Sequence, residues 1–136
     1  MRISYTHYKF TYDEFRQVNN DFSGKTIPSV SPNTIAAELS IFSKPGLYLN
    51  ATYYYCDKIY LNDANTEHAA SYNLLGARLG WKKKIFQKNI FDIFTGFDNL
   101  LNEKYSLGND INASGGRFYN AAPGLNFNIG ITFQSF

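Results

Sequence analysis

The sequence predicts an all-β protein, an antiparallel transmembrane β-barrel segment. Three observations predict it. Apolar residues recur at every second position in one segment after another. These segments run to roughly 9–13 residues, above the ~5–6 of an ordinary soluble strand and close to the ~9–11 that a tilted strand needs to cross a bilayer. The connections between them alternate between long and short, which is the rhythm of barrels with short turns at one rim and long loops at the other.

The strands follow in order. The first is expected over residues 2–12, where Tyr and Phe occur at both parities and leave its faces unassigned. Residues 34–43 put Ile35, Ala37, Leu39 and Ile41 on one face, with Thr34, Glu38 and Ser40 on the other. Residues 46–58 group Leu47, Leu49, Ala51, Tyr53 and Tyr55 against Asn50, Thr52 and Tyr54. Residues 72–82 group Leu75, Ala77, Leu79 and Trp81 against Gly76, Arg78 and Gly80. Residues 90–98 set Phe91, Ile93, Thr95 and Phe97 opposite Asp92 and Asp98. The last strand, within 125–136, sets Phe127, Ile129, Ile131 and Phe133 opposite Asn126, Asn128, Gly130 and Thr132. The long connections are 13–33, 59–71 and 99–124, and the short ones are Lys44-Pro45 and the basic turn 83–89.

Composition agrees. Aromatic residues are 18% of the 136, with 11 Tyr and 12 Phe against one Trp, yet hydrophobic residues are only 44% and mean hydropathy is -0.33. A barrel explains this combination. One strand face meets lipid, the other accepts Glu38, Arg78 and Asp92 toward a wet lumen, and aromatics collect at the two interfaces. Trp81, beside a short turn, belongs to the periplasmic girdle on this reading, and Tyr53 and Tyr55 to the extracellular one. No apolar run approaches the ~18 residues of a transmembrane helix, and the start of the chain has no signal-peptide core. A net charge of +2, with no basic run longer than Lys82–Lys84, argues against a nucleic-acid partner. One cysteine, Cys56, allows no internal disulfide.

Four stretches together resemble the TonB-dependent outer-membrane receptors. They are NDFSGKTIPSVSPNTIAAEL (20–39), YLNDANTEHAASYNLLGARLG (60–80), FDIFTGFDNLLNEKY (91–105) and the terminal GGRFYNAAPGLNFNIGITFQSF (115–136). The resemblance implies a fold built from about the last six strands of a roughly 22-stranded barrel whose lumen is plugged by an N-terminal domain. Six strands fall short of the ~8 of the smallest membrane barrels, and neither a plug nor a TonB-contact segment is recognisable. The expectation is therefore a piece of a longer receptor or of a broken gene. The resemblance also implies that the terminal strand carries the signal read by the barrel-assembly machinery, with Phe133 and Phe136 as its aromatics. Phe133 is in phase with the lipid-facing residues and Phe136 is out by one, so the tail needs a bulge or a frayed end.

Little chemistry is legible. His68, Asp63 and Glu67 share a loop that reads as solvated, and no metal site is expected. Asp92 and Asp98 lie ~20 Å apart along one strand at ~3.4 Å per residue, too far for acid–base partnership. Arg78 is expected to pair with a plug or a neighbouring strand rather than with ligand. Gly115-Gly116 lacks the strand-to-helix setting of a phosphate loop. No catalytic arrangement and no cofactor site are readable. The implied function is TonB-dependent uptake of a scarce ligand, a ferric siderophore foremost, across the bacterial outer membrane. Tyr60, Asn65, Tyr105 and Tyr119 are the loop residues expected to touch it. The other readings are a non-importing structural or adhesive outer-membrane barrel, and a small soluble lipocalin-like domain.

Overall fold

A computed structural model of the chain describes residues 1–85 and 88–135. In chain order the strands are β1 (Arg2–His7), β2 (Arg16–Gln17), β3 (Asn20–Asp21), β4 (Asn33–Phe42), β5 (Leu47–Cys56), β6 (Ile59–Tyr60), β7 (His68–Ala69), β8 (Tyr72–Ile85), β9 (Asn89–Asp98), β10 (Ser106–Asn109), β11 (Tyr119–Ala121) and β12 (Asn126–Gln134). Six of them form one antiparallel sheet in the order β1-β4-β5-β8-β9-β12. The rest pair as three small hairpins, β2–β3, β6–β7 and β10–β11. Each hairpin lies inside one of the three long connections, so these loops are structured. The large sheet is open, with β1 and β12 at its edges.

Register turns the period-two pattern into two faces. Ile41, Leu49, Leu79, Thr95 and Ile129 stand side by side across five strands. The neighbouring row on the other face is Ser40, Asn50, Arg78, Gly96 and Asn128. Pairing with β4 also assigns the first strand. Ile3 and Tyr5 oppose Ala37 and Ile35 on the apolar face, while Arg2, Ser4 and Thr6 oppose Glu38, Ala36 and Thr34. This strand ends at His7, short of the expected residue 12. Its partner cannot extend the ladder, because Pro32 has no N–H to give. Half of the next pair survives, the Tyr8 amide donating to the Pro32 carbonyl at 2.8 Å, and further on Thr11 bridges to Thr26.

At the opposite rim Lys83 and Lys84, expected in a turn, continue the ladder opposite Phe91 and Ile90. The turn between β4 and β5 closes with the Gly46 amide on the Ser43 carbonyl at 3.0 Å. Gly46 sits at φ 97, and a Cβ there would strike the Lys82 carbonyl, so only glycine serves.

The apolar face has no second layer over it among the described residues. Along β12, Phe127, Ile129, Ile131 and Phe133 are 63–71% exposed, where a soluble sandwich would bury them. The most buried side chain, Leu61, lies in a loop, as do Asp63, Asn99 and Phe118. The compact core of this chain is thus among its long loops, while the sheet leaves its apolar surface for another medium.

On the polar face, aromatic rings lie over glycines of the adjacent strand. Tyr48 of β5 opposes Gly80 of β8, and Phe94 of β9 opposes Gly130 of β12. A Cβ at either glycine would collide with the ring. Glycine inside a strand is otherwise unfavourable. Here it admits a ring flat against the wall.

Candidate ligand-facing loops and lumenal wall

The polar face carries a charged cluster around Arg78. Arg78 Nε donates to Tyr48 Oη at 3.2 Å, and Tyr48 Oη donates to Asp92 Oδ1 at 3.0 Å. Arg78 Nη2 lies 3.6 Å from Asp92 Oδ2, and the guanidinium carbon sits 3.4 Å from the Phe94 ring centroid. Three strands therefore meet in one network, and Arg78 finds its partner on a neighbouring strand. Asp92 keeps only 13% of its side chain exposed, against 43% for Arg78, so the cation is the accessible end of the pair. Glu38 pairs with Arg2 at 3.9 Å across β4 and β1, with both side chains well exposed. A pair so open to solvent adds little stability.

The three long loops converge on Asp63. Its Oδ1 accepts from Tyr12 Oη at 2.6 Å, and its Oδ2 accepts from Asn112 Nδ2 at 2.7 Å. The Asp63 amide in turn donates to Asn112 Oδ1 at 3.0 Å. The carboxylate beside it pushes the Tyr12 hydroxyl up to about 12, chiefly through the hydrogen bond. Asp57, just past β5, is held below the ordinary carboxylate range mainly by the Asn33 amide at 2.8 Å. Asparagines shape the remainder. Asn65, Asn99, Asn102 and Asn112 all adopt φ between 51 and 58, a left-handed conformation that Asn tolerates better than most residues. Asn99, 5% exposed, accepts from the Glu103 amide and donates to the Glu103 and Pro123 carbonyls.

The four loop candidates separate into two groups. Tyr105 and Tyr119 line a cavity of about 670 Å³ between the β6–β7 and β10–β11 hairpins, together with His68 and Lys104. Tyr105 stacks on Tyr72 at 5.0 Å, and Tyr119 Oη donates to the His68 carbonyl at 2.9 Å. Tyr60 and Asn65 lie outside that cavity. The Tyr60 carbonyl accepts from the Ser29 amide, and the Asn65 side chain exchanges two 2.8 Å hydrogen bonds with the Thr26 backbone. Both tie the second long loop to the first. Both Asp63 oxygens are engaged, and no group of three His, Cys, Asp or Glu side chains placed to hold a cation occurs among the described residues. Sequence reading missed Tyr12, Tyr48 and Asn112. Only the density of Asn in the loops pointed to positions of left-handed backbone.

Residues 1–100 match the family model described as TonB dependent receptor-like, beta-barrel. The chain belongs to this family. The fold agrees with a solved structure, the siderophore receptor PiuA from Acinetobacter baumannii, at a TM-score of 0.70 and 18% identity. The match covers 90% of this chain and 17% of that one, so the chain spans about a sixth of that receptor's length. At this identity the likeness speaks for the fold alone. Register puts Glu38, Arg78 and Asp92 together on the polar face of the sheet. Phe133 stands on the apolar face opposite Phe91. β12 ends at Gln134, and Phe136 lies outside the described residues.

Proposed function

We propose that this chain forms the closing part of the barrel of a bacterial outer-membrane receptor that imports a scarce ligand, a ferric siderophore foremost. Energy reaches such a receptor from TonB through a plug domain carried elsewhere in the protein. The observation that carries the reading is the match of residues 1–100 to the TonB-dependent receptor barrel. The tied loops over a lumenal wall support it, since they form a rigid frame beside an aromatic cavity. Within that frame Tyr105 and Tyr119 are the ligand contacts, whereas Tyr60 and Asn65 brace the loops. Arg78 is an accessible cation on this wall, available to a plug carboxylate. Phe133, with Phe136, serves as the assembly signal for insertion.

The test is uptake of a panel of ⁵⁵Fe-loaded siderophores by cells that carry the full receptor, with and without a functional TonB. TonB-dependent uptake of at least one siderophore, lost on deleting the receptor, is the expected result. An adhesive barrel would give outer-membrane protein and no uptake of any of them. A soluble lipocalin-like domain would remain in the aqueous fraction without detergent.

A further inference from the structure

We propose that the lipid side of the sheet, at the rim of the short turns, is a binding site for a phospholipid with a net negative headgroup. A trough of about 620 Å³ runs over the apolar face, walled by Ile41, Leu47, Leu49, Leu79, Ile93 and Ile129. Every one of these side chains has lipid-facing parity in the register. Two of these wall residues, Leu47 and Ile93, flank Trp81 in the register, and its Nε1 donates to the Pro45 carbonyl of the β4–β5 turn at 2.9 Å. The indole is thereby fixed at the interface, where its one polar atom needs a partner.

One step beyond Trp81 on the same face stands Lys83, opposite Phe91, with its Nζ 5.7 Å from the indole centroid. A lysine of lipid-facing parity is tolerated only where its ammonium reaches headgroup depth. Lys44, in the adjoining turn, is exposed at the same rim. Segments 43–47 and 82–91 hold five lysines (44, 82, 83, 84 and 88) and no acidic residue. Asp92, which pairs with Lys82 in the register, is on the other face and engaged by Arg78 and Tyr48.

Acyl chains thus fill the trough while the headgroup phosphate meets Lys83 and Lys44. A zwitterionic headgroup brings its own cation into this basic rim and is disfavoured. An anionic one, such as phosphatidylglycerol, is favoured by about fivefold for each lysine it meets.

Trp81 is the chain's one tryptophan and lies at the site, so its emission reports occupancy. The full receptor is refolded into phosphatidylcholine vesicles containing either brominated phosphatidylglycerol or brominated phosphatidylcholine, which quench on contact. The Trp81 contribution is the difference from a Trp81→Phe receptor. Half-maximal quenching is expected at a several-fold lower mole fraction of the anionic lipid. Lys83→Gln narrows that preference, and Lys83→Gln with Lys44→Gln abolishes it. Heat-modifiable migration on gels confirms that each variant has folded. Equal quenching by both lipids, or a preference that survives the double substitution, overturns the site and leaves the transport reading intact. No quenching by either overturns the site together with the membrane placement. Shielding of Trp81 with a cross-linked dimer means a second copy covers the trough, which also overturns it.

Discussion

Replacing Asp63 by alanine should release the three long loops from one another while leaving the sheet intact. The carboxylate accepts from Tyr12 at 2.6 Å and from Asn112 at 2.7 Å, and the residue is 9% exposed. Hydrogen bonds to a charged group contribute ~1.5–3 kcal/mol each, and the freed hydroxyl and amide recover part of that by meeting water. The net loss is therefore about 2–4 kcal/mol, localised to the loop cluster. Hydrogen exchange reads it directly. The Leu61 amide donates to the Glu67 carbonyl and the Asn112 amide to the Leu61 carbonyl, both at 2.9 Å, so both report opening of this cluster. Asp63→Ala should speed their exchange by about 30- to 1,000-fold, that loss expressed as a local opening constant. Strand amides such as those of Leu79 and Ile93 should not change. The reasoning is refuted if Asn112 exchange moves by less than about threefold, or if strand amides accelerate equally, which would mean global loosening.

Three further outcomes follow from the same structure. In a spectrophotometric titration Tyr12 should ionise at about 12, after ordinary tyrosines, and Tyr12→Phe should remove that late step. Because its folded value is raised, the stability this hydroxyl adds is complete below the unfolded value of about 10 and is lost as pH rises through about 12. Gly130→Val should drive a side chain into the Phe94 ring and cost about 1–3 kcal/mol, read as a lower temperature of heat-modified migration. The added substitution Phe94→Ala should recover part of that loss. Asp92→Leu should strip Tyr48 of its acceptor and Arg78 of its ion pair at a cost of about 1–3 kcal/mol, and Arg78→Leu in the same chain should offset some of it, as a double-mutant cycle would measure.

The sequence by itself determined the strands and their faces. Period-two alternation is written residue by residue, so Ile35, Leu49, Leu79, Ile93 and Ile129 could be placed on one surface before any pairing was known. It failed for the faces of β1, where Tyr and Phe occupy both parities and hydropathy cannot vote, and for the three small hairpins inside the long connections; opposite Ala37 and Ile35 the faces of β1 became plain. Strand ends were decided by neighbours as well. His7 closes β1 because Pro32 cannot donate, and Lys83 and Lys84 extend β8 because Phe91 and Ile90 are there to pair. The site was far less legible. Parity put Arg78 and Asp92 on the polar faces of their strands, but only register brings Tyr48 of β5 and Asp92 of β9 to the same guanidinium. Asp63 looked like a solvated loop residue. Its partners, Tyr12 and Asn112, are 51 and 49 residues away in the sequence, and no local pattern encodes a contact at that range. Alternation is a property of the chain's own geometry and survives without a fold. Which hydroxyl meets which carboxylate depends on how three loops close over the sheet, and that is settled only when the strands beneath them are in register.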